Sequence, residues 1–320
     1  MKKKIVYSIF CTLLSYSTFA QQMPFYTQNG NNTLLLNPAV SGTKRTLDAR
    51  LNARLQWIGY DGAPRTETVS ANYRFYRGKM GAAIYMLEDK IGPSRQTNYG
   101  VDYAYHIRFP DCELSAGVGG IFTKYTLYGD EITLHNTQDP AIDQTVSSAV
   151  WVADANAGIY LYNDRFHIGV SAMHIAETTA KFYVHDTTKH GKVKYMPHIN
   201  FSVGYNFAAN PDFVWESTVN ASYVPGVPFF LDYTLRLHIR NQIICGASLR
   251  LHDALALHIG AVFLENFQVT YSYDFMISEL RNYNSGSHEI MLVFNFNQFH
   301  GKKHGHIDTQ FIKQKYGYMF

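Results

Sequence analysis

The chain has 320 residues, 46% of them hydrophobic and 15% aromatic, with a formal net charge of +3. So small a charge indicates no nucleic-acid partner, and the two cysteines beyond residue 20, Cys112 and Cys245, make no disulfide framework. No apolar run is long enough for a helical membrane span, whereas 24 Tyr and 21 Phe suit strands that end in aromatic girdles.

Residues 1–20 read as a secretory signal peptide: Lys2, Lys3 and Lys4, then an apolar stretch over 5–14, then Thr18-Phe19-Ala20 as a small-residue cleavage site. Export follows, with outer-membrane lipid as the surroundings. Residues 21–46 lack sustained alternation and are rich in Asn, Gln and Pro. This segment fits either a plug inside a lumen or an arm along a periplasmic rim, and the residues alone leave both open.

From residue 47 to 297 apolar and polar residues alternate. Leu231, Tyr233, Leu235, Leu237 and Ile239 point one way, while Asp232, Thr234, Arg236, His238 and Arg240 point the other. A period of two is the mark of a strand with one apolar face. The pattern predicts about fourteen strands, near 47–57, 66–76, 79–87, 97–107, 112–126, 151–163, 166–174, 197–207, 213–224, four within 229–275, and 287–296. Gly and Ala blur the third, fifth and seventh. Such strands, tilted by about 40°, cross a bilayer. The expected fold is an all-β transmembrane antiparallel barrel with an N-terminal non-strand arm or plug.

The connections sort by parity. Those at 77–78, 108–111, 163–165, 208–212, 240–241 and 265–266 are short; the long ones, 58–65, 88–96, 127–150, 175–196 and 276–286, all fall on the other rim. The ninth and eleventh connections on that rim are short as well, so the sorting is a tendency. Tight periplasmic turns opposite long outer loops is the habit of bacterial outer-membrane barrels. An even count puts both termini on the short-turn side. The inward face carries both signs, with Arg50, Arg54, Asp102, His106, Asp154, Glu216, Asp232, Arg236, Arg250, Asp274 and Glu289. Buried charges need partners, so cross-barrel ion pairs and a partly filled interior are expected.

Catalytic signatures are missing. His288 and Glu289 are neighbours on a strand and face opposite sides. Gly117-Val-Gly119-Gly120 lacks the Lys-Ser/Thr and helix of a phosphate loop and reads as strand glycines at a bend. His300, His304 and His306 lie in a basic tail, 298–320, read as solvated. No enzyme activity, metal or cofactor is expected.

Three segments carry a family resemblance: Gln22-Met-Pro24-Phe-Tyr26-Thr-Gln28 with Asn37-Pro-Ala39-Val-Ser-Gly42; Gln56-Trp57-Ile-Gly59-Tyr-Asp-Gly62-Ala-Pro64-Arg-Thr66; and Tyr271-Ser-Tyr-Asp274, Ser278, Leu280 and Gly286-Ser-His-Glu-Ile290. In this order and spacing they resemble the PorP/SprF family of Bacteroidota outer-membrane proteins, although Ser41 stands where the family more often has a small apolar residue. The resemblance implies a fourteen-stranded barrel associated with type IX secretion and gliding motility, and partners among secretion-machinery proteins or a large secreted surface adhesin. In the first loop Gly59 and Gly62 permit positive φ, Pro64 stiffens the chain and Trp57 suits a membrane interface. Asp130, Glu131, Asp139 and Asp143 make the 127–150 loop acidic, suited to steering a basic partner. These eight residues are the partner-contact candidates. The other function that fits the fold is a plugged outer-membrane channel for small or hydrophobic solutes.

Overall fold

The computed structural model describes residues 24, 26–44, 46–75, 78–132, 148–183, 190–210, 212–263 and 266–296. The expected signal peptide, the tail with His300, His304 and His306, and the loop residues Asp139 and Asp143 lie outside the described residues. No described helix is long and apolar enough to cross a membrane.

Alternation produces strands wherever it was read. The wall consists of β1 (Leu47–Leu55), β2 (Arg65–Phe75), β3 (Met80–Ile91), β4 (Ser94–Arg108), β5 (Glu113–Leu127), β6 (Ser148–Tyr162) and β7 (Phe166–Met173). It continues, after the hairpin β8 (Thr179–Tyr183) and β9 (His190–Lys194), with β10 (His198–Asn210), β11 (Phe213–Tyr223), β12 (Phe230–Ile239), β13 (Ile243–Arg250), β14 (Ala254–Phe263), β15 (Phe267–Met276) and β16 (Ser287–Phe296). All wall pairs are antiparallel, and β1 closes on β16 from Leu47↔Phe296 to Leu55↔His288, so fourteen strands form a closed barrel. Closure leaves no sheet edge with unpaired backbone groups, which is what hydrocarbon surroundings demand.

Burial is inverted relative to a soluble protein. Ile84 and Ile259 are about three-fifths exposed, while Asp274 and Glu289 have no exposure at all. Apolar residues out and charged residues in is the pattern of a barrel bathed in lipid.

The structure corrects the sequence reading at three places. The expected loop 88–96 is mostly strand: β3 and β4 stay paired to Ile91↔Ser94, around a turn at Gly92-Pro93. Charged residues on both faces of this stretch (Glu88, Asp89, Lys90) erase the alternation where the wall rises past the apolar belt. The expected loop 175–196 contains the β8–β9 hairpin, whose strands are too short and polar to announce themselves. Finally, both ends of the barrel wall, Leu47 and Phe296, lie at the short-turn rim as expected, but the segment that precedes β1 does not stay there. The arm turns back through the lumen, so Tyr26 sits near Thr68 and Leu87, in the loop-side half.

Candidate functional site

The chemistry of this molecule is concentrated inside the barrel, where residues 26–43 lie against the inner wall. The segment forms one helical turn, α1 (Thr33–Leu36), and then a 3-10 turn at Pro38–Val40 whose first amide, Ala39 N–H, donates to the Asn37 side chain at 2.9 Å. Its apolar side chains join two of the three buried apolar clusters among the described residues. Tyr26 and Leu35 pack with Tyr85, Leu87 and Ile121, and Leu34, Ala39 and Val40 pack with Ala83 and Tyr160.

At its loop-side end the segment joins a buried ion network. The Arg54 guanidinium donates to Asp274 at 2.8 Å and to Glu289 at 3.0 Å, and all three side chains are essentially without solvent contact. Glu289 also accepts Thr27 N–H at 2.7 Å, Gln28 N–H at 3.2 Å and the Asn52 amide at 2.8 Å. The Thr27 hydroxyl donates to Asp274 at 2.7 Å and accepts from Arg54 and, at 3.2 Å, from Arg250. Breaking a buried ion pair by removing one partner costs about 3–5 kcal/mol. This end of the segment is therefore firmly held.

At the other end the wall recognises backbone. Leu36 C=O accepts from the Ser171 hydroxyl and from Asn200 at 3.3 Å; Ser41 C=O accepts from His106 Nε2 at 2.9 Å; Gly42 N–H donates to Asn72 at 3.2 Å. Close approach of two backbones needs absent side chains. A Cβ on Gly81 would stand 2.0 Å from Ser41 O, one on Gly117 2.4 Å from Ala39 N, and one on Gly158 2.1 Å from Asn37 Oδ1. Glycines of β3, β5 and β6 thus form a track for Asn37-Pro-Ala-Val-Ser-Gly42. Gly117 faces the plug rather than making a bend, which corrects the sequence reading.

Below the track, a recess of about 530 Å³ opens at the short-turn rim, lined by Lys44, Arg74, Arg108, Glu113, Tyr162 and His167 among others. Its cations are matched: Arg74 to Glu113, Arg108 to Glu113 at 3.2 Å, and Lys44 to Asp48. At the loop end, the β8–β9 hairpin packs Ala180, Val193 and the adjoining Tyr195 on Tyr125, Val150 and Val152, which face the lumen. The hairpin therefore leans on the inner face of β5 and β6 at the loop-side rim. Asp154 fixes its base, accepting Ala176 N–H at 2.8 Å and the Thr178 hydroxyl at 2.9 Å.

The partner-contact candidates fall in two places. Gly59 and Gly62 do adopt positive φ, +92° and +72°, and Trp57 does too at +46°. Their loop is knitted to its neighbours: Ile58 N–H donates to Gly286 O at 2.9 Å, Gly92 N–H to Gly62 O at 2.9 Å, and Pro64 O accepts from Gln56. Trp57 is half-buried, Pro64 is buried, and Gly59 and Gly62 are exposed. Asp130 is exposed, and Glu131 pairs with Lys90 at 3.0 Å. Sequence reasoning missed Thr27, Asn37 and the glycine track. The signal was present in the blurred third and fifth strands, whose Gly and Ala mark where the plug comes close.

A closed antiparallel wall, apolar outside and charged within, with tight turns on one rim and longer connections on the other, is an outer-membrane β-barrel. Three sequence segments far apart in the chain meet at one place in it: Thr27 and Gln28 at Glu289, Ile58 at Gly286, and Asp274 at Arg54. The family described as type IX secretion system membrane protein PorP/SprF matches residues 18–294, and the chain belongs to it. No curated protein is similar enough to count as a match. Among solved structures, the CymD monoaromatic hydrocarbon channel is 11% identical, over 88% of this chain and 96% of that one, with a TM-score of 0.50. A Pseudomonas aeruginosa FadL homologue is 10% identical, over 82% and 93%, with a TM-score of 0.46. Omp33 of Acinetobacter baumannii is 9% identical, over 80% and 100%, with a TM-score of 0.44. The likeness to CymD is one of fold alone.

Proposed function

We propose that the chain is a non-enzymatic barrel of the type IX secretion and gliding machinery, which anchors a protein partner or enables its secretion and surface display. The observation that carries this reading is the occupied lumen: residues 26–43 run through it and are hydrogen-bonded to the buried, ion-paired Asp274 and Glu289. A barrel filled in this way offers its two rims rather than a wide pore. The recess lined by Arg74, Glu113 and Tyr162 suits a periplasmic or outer-membrane component of the machinery. The opposite rim, with the 56–64 loop around Trp57, Gly59, Gly62 and Pro64 and the acidic 127–150 loop, suits a secreted surface adhesin. Several of the interior charges are paired, Arg54 with Asp274 and Glu289, Arg74 with Glu113 and Arg236 with Glu216, which also disfavours a selective ion path.

Deleting the gene tests the reading. Loss of secretion or surface display of a protein substrate, with small-solute uptake unchanged, is the expected result. Normal display with failed uptake of a defined solute would reject it in favour of a solute channel.

A further inference from the structure

We propose that residues 26–43 are the template on which this barrel closes, with β1 and β16 meeting around Thr27 rather than the segment entering a finished lumen. The seam joins the two ends of the wall, from Leu47 to Phe296, whereas the other wall pairs join strands that follow one another or flank a single hairpin. Ordering a contact costs more entropy the longer the loop it closes, so the seam is the last and most expensive pairing to form.

What stabilises that pairing sits at the register pair Arg54↔Glu289. Arg54 on β1 meets Glu289 on β16 and Asp274 on β15, and burying these charges is tolerable only if the remaining acceptor sites are filled. The N-terminal segment fills them. Thr27 and Gln28 N–H take Glu289, and the Thr27 hydroxyl takes Asp274 while accepting from Arg54 and Arg250. Thr27 thus touches side chains from β1, β13, β15 and β16 at once.

Sequence separation sets the order. Thr27 and Arg54 are 27 residues apart, whereas Thr27 and Glu289 are 262 apart. The arm folds against β1 first and presents two N–H groups, a hydroxyl and the guanidinium as a prepared seat for β15 and β16. Topology points the same way. The described start of the segment lies in the loop-side half, while its other end enters β1 at the short-turn rim. Insertion after closure would push Tyr26, Leu34 and Leu35 lengthwise through the lumen; closure around the segment requires no threading.

The test uses the full chain assembled in its own membrane, with two disulfide reporters. Ala53→Cys with Ile290→Cys spans β1–β16 at an outward register pair, and Leu237→Cys faces the native Cys245 across β12–β13. Each is combined with Thr27→Val, which keeps the volume and removes the hydroxyl, and with Thr27→Ser, which keeps the hydroxyl. In Thr27→Val the seam disulfide should fall by about threefold or more, since buried charged groups lose a partner. The β12–β13 disulfide should not change, and Thr27→Ser should preserve both. An unchanged seam yield, or an equal fall in both reporters as general destabilisation would give, overturns the proposal.

Discussion

Single glycines decide where the arm can lie. Gly117 and Gly120 belong to the same strand, yet a Cβ on Gly117 would meet the Pro38–Ala39 backbone at 2.4–2.5 Å, whereas one on Gly120 would meet nothing within 4 Å. Backbone cannot swing aside as a flexible side chain does, so Gly117→Ala should cost about 1–3 kcal/mol as overpacking and loosen the plug. Gly120→Ala should be close to neutral. Limited proteolysis at Lys44, read beside heat-resistant gel mobility, separates the two: Gly117→Ala should be cut faster while the barrel stays folded. Equal cutting of both variants would contradict the track. The inward charges Arg54, Asp274 and Glu289 were legible from alternation alone, because a period of two fixes the face of every residue. Thr27 and Asn37 were not. Their roles depend on which wall residues the arm meets, and nothing local in a loop of Asn, Gln and Pro encodes that.

Elements were readable in proportion to how much lipid they meet. β12 to β15, bathed in hydrocarbon on one face and charges on the other, show alternation without a break. The loop-side ends of β3 and β4 carry charges on both faces, and the β8–β9 hairpin has only five residues per strand, so periodicity passes over both. Yet the hairpin is a fixed part of the architecture, held at its base by Asp154. Asp154→Ala removes the acceptor for the exposed Ala176 N–H and the half-buried Thr178 hydroxyl, a loss of about 1 kcal/mol per hydrogen bond. External protease on intact cells should then cut within residues 174–197 several-fold faster than in the parent, and should leave the 163–165 turn uncut in both. Cutting at the 163–165 turn would reverse the assigned orientation, and an unchanged rate in the hairpin would free Asp154 of its latching role.

Across the whole molecule, a polar inner wall, an N-terminal plug and an inward-leaning hairpin complement one another. The plug satisfies wall charges, the wall glycines admit the plug, and the hairpin packs on the inner face of β5 and β6 at the loop-side rim. Sequence alone left the arm undecided between lumen and rim, since plug and docking arm need the same polar, irregular composition. Only the closing geometry of Arg54, Asp274 and Glu289 on Thr27 separates them. The central claim is that this barrel works through its rims with its lumen occupied, and planar-bilayer recording of the purified full chain tests it most directly. The account predicts a silent bilayer, or brief and irregular events only. Steady, large single-channel currents from the folded, heat-modifiable protein would contradict it.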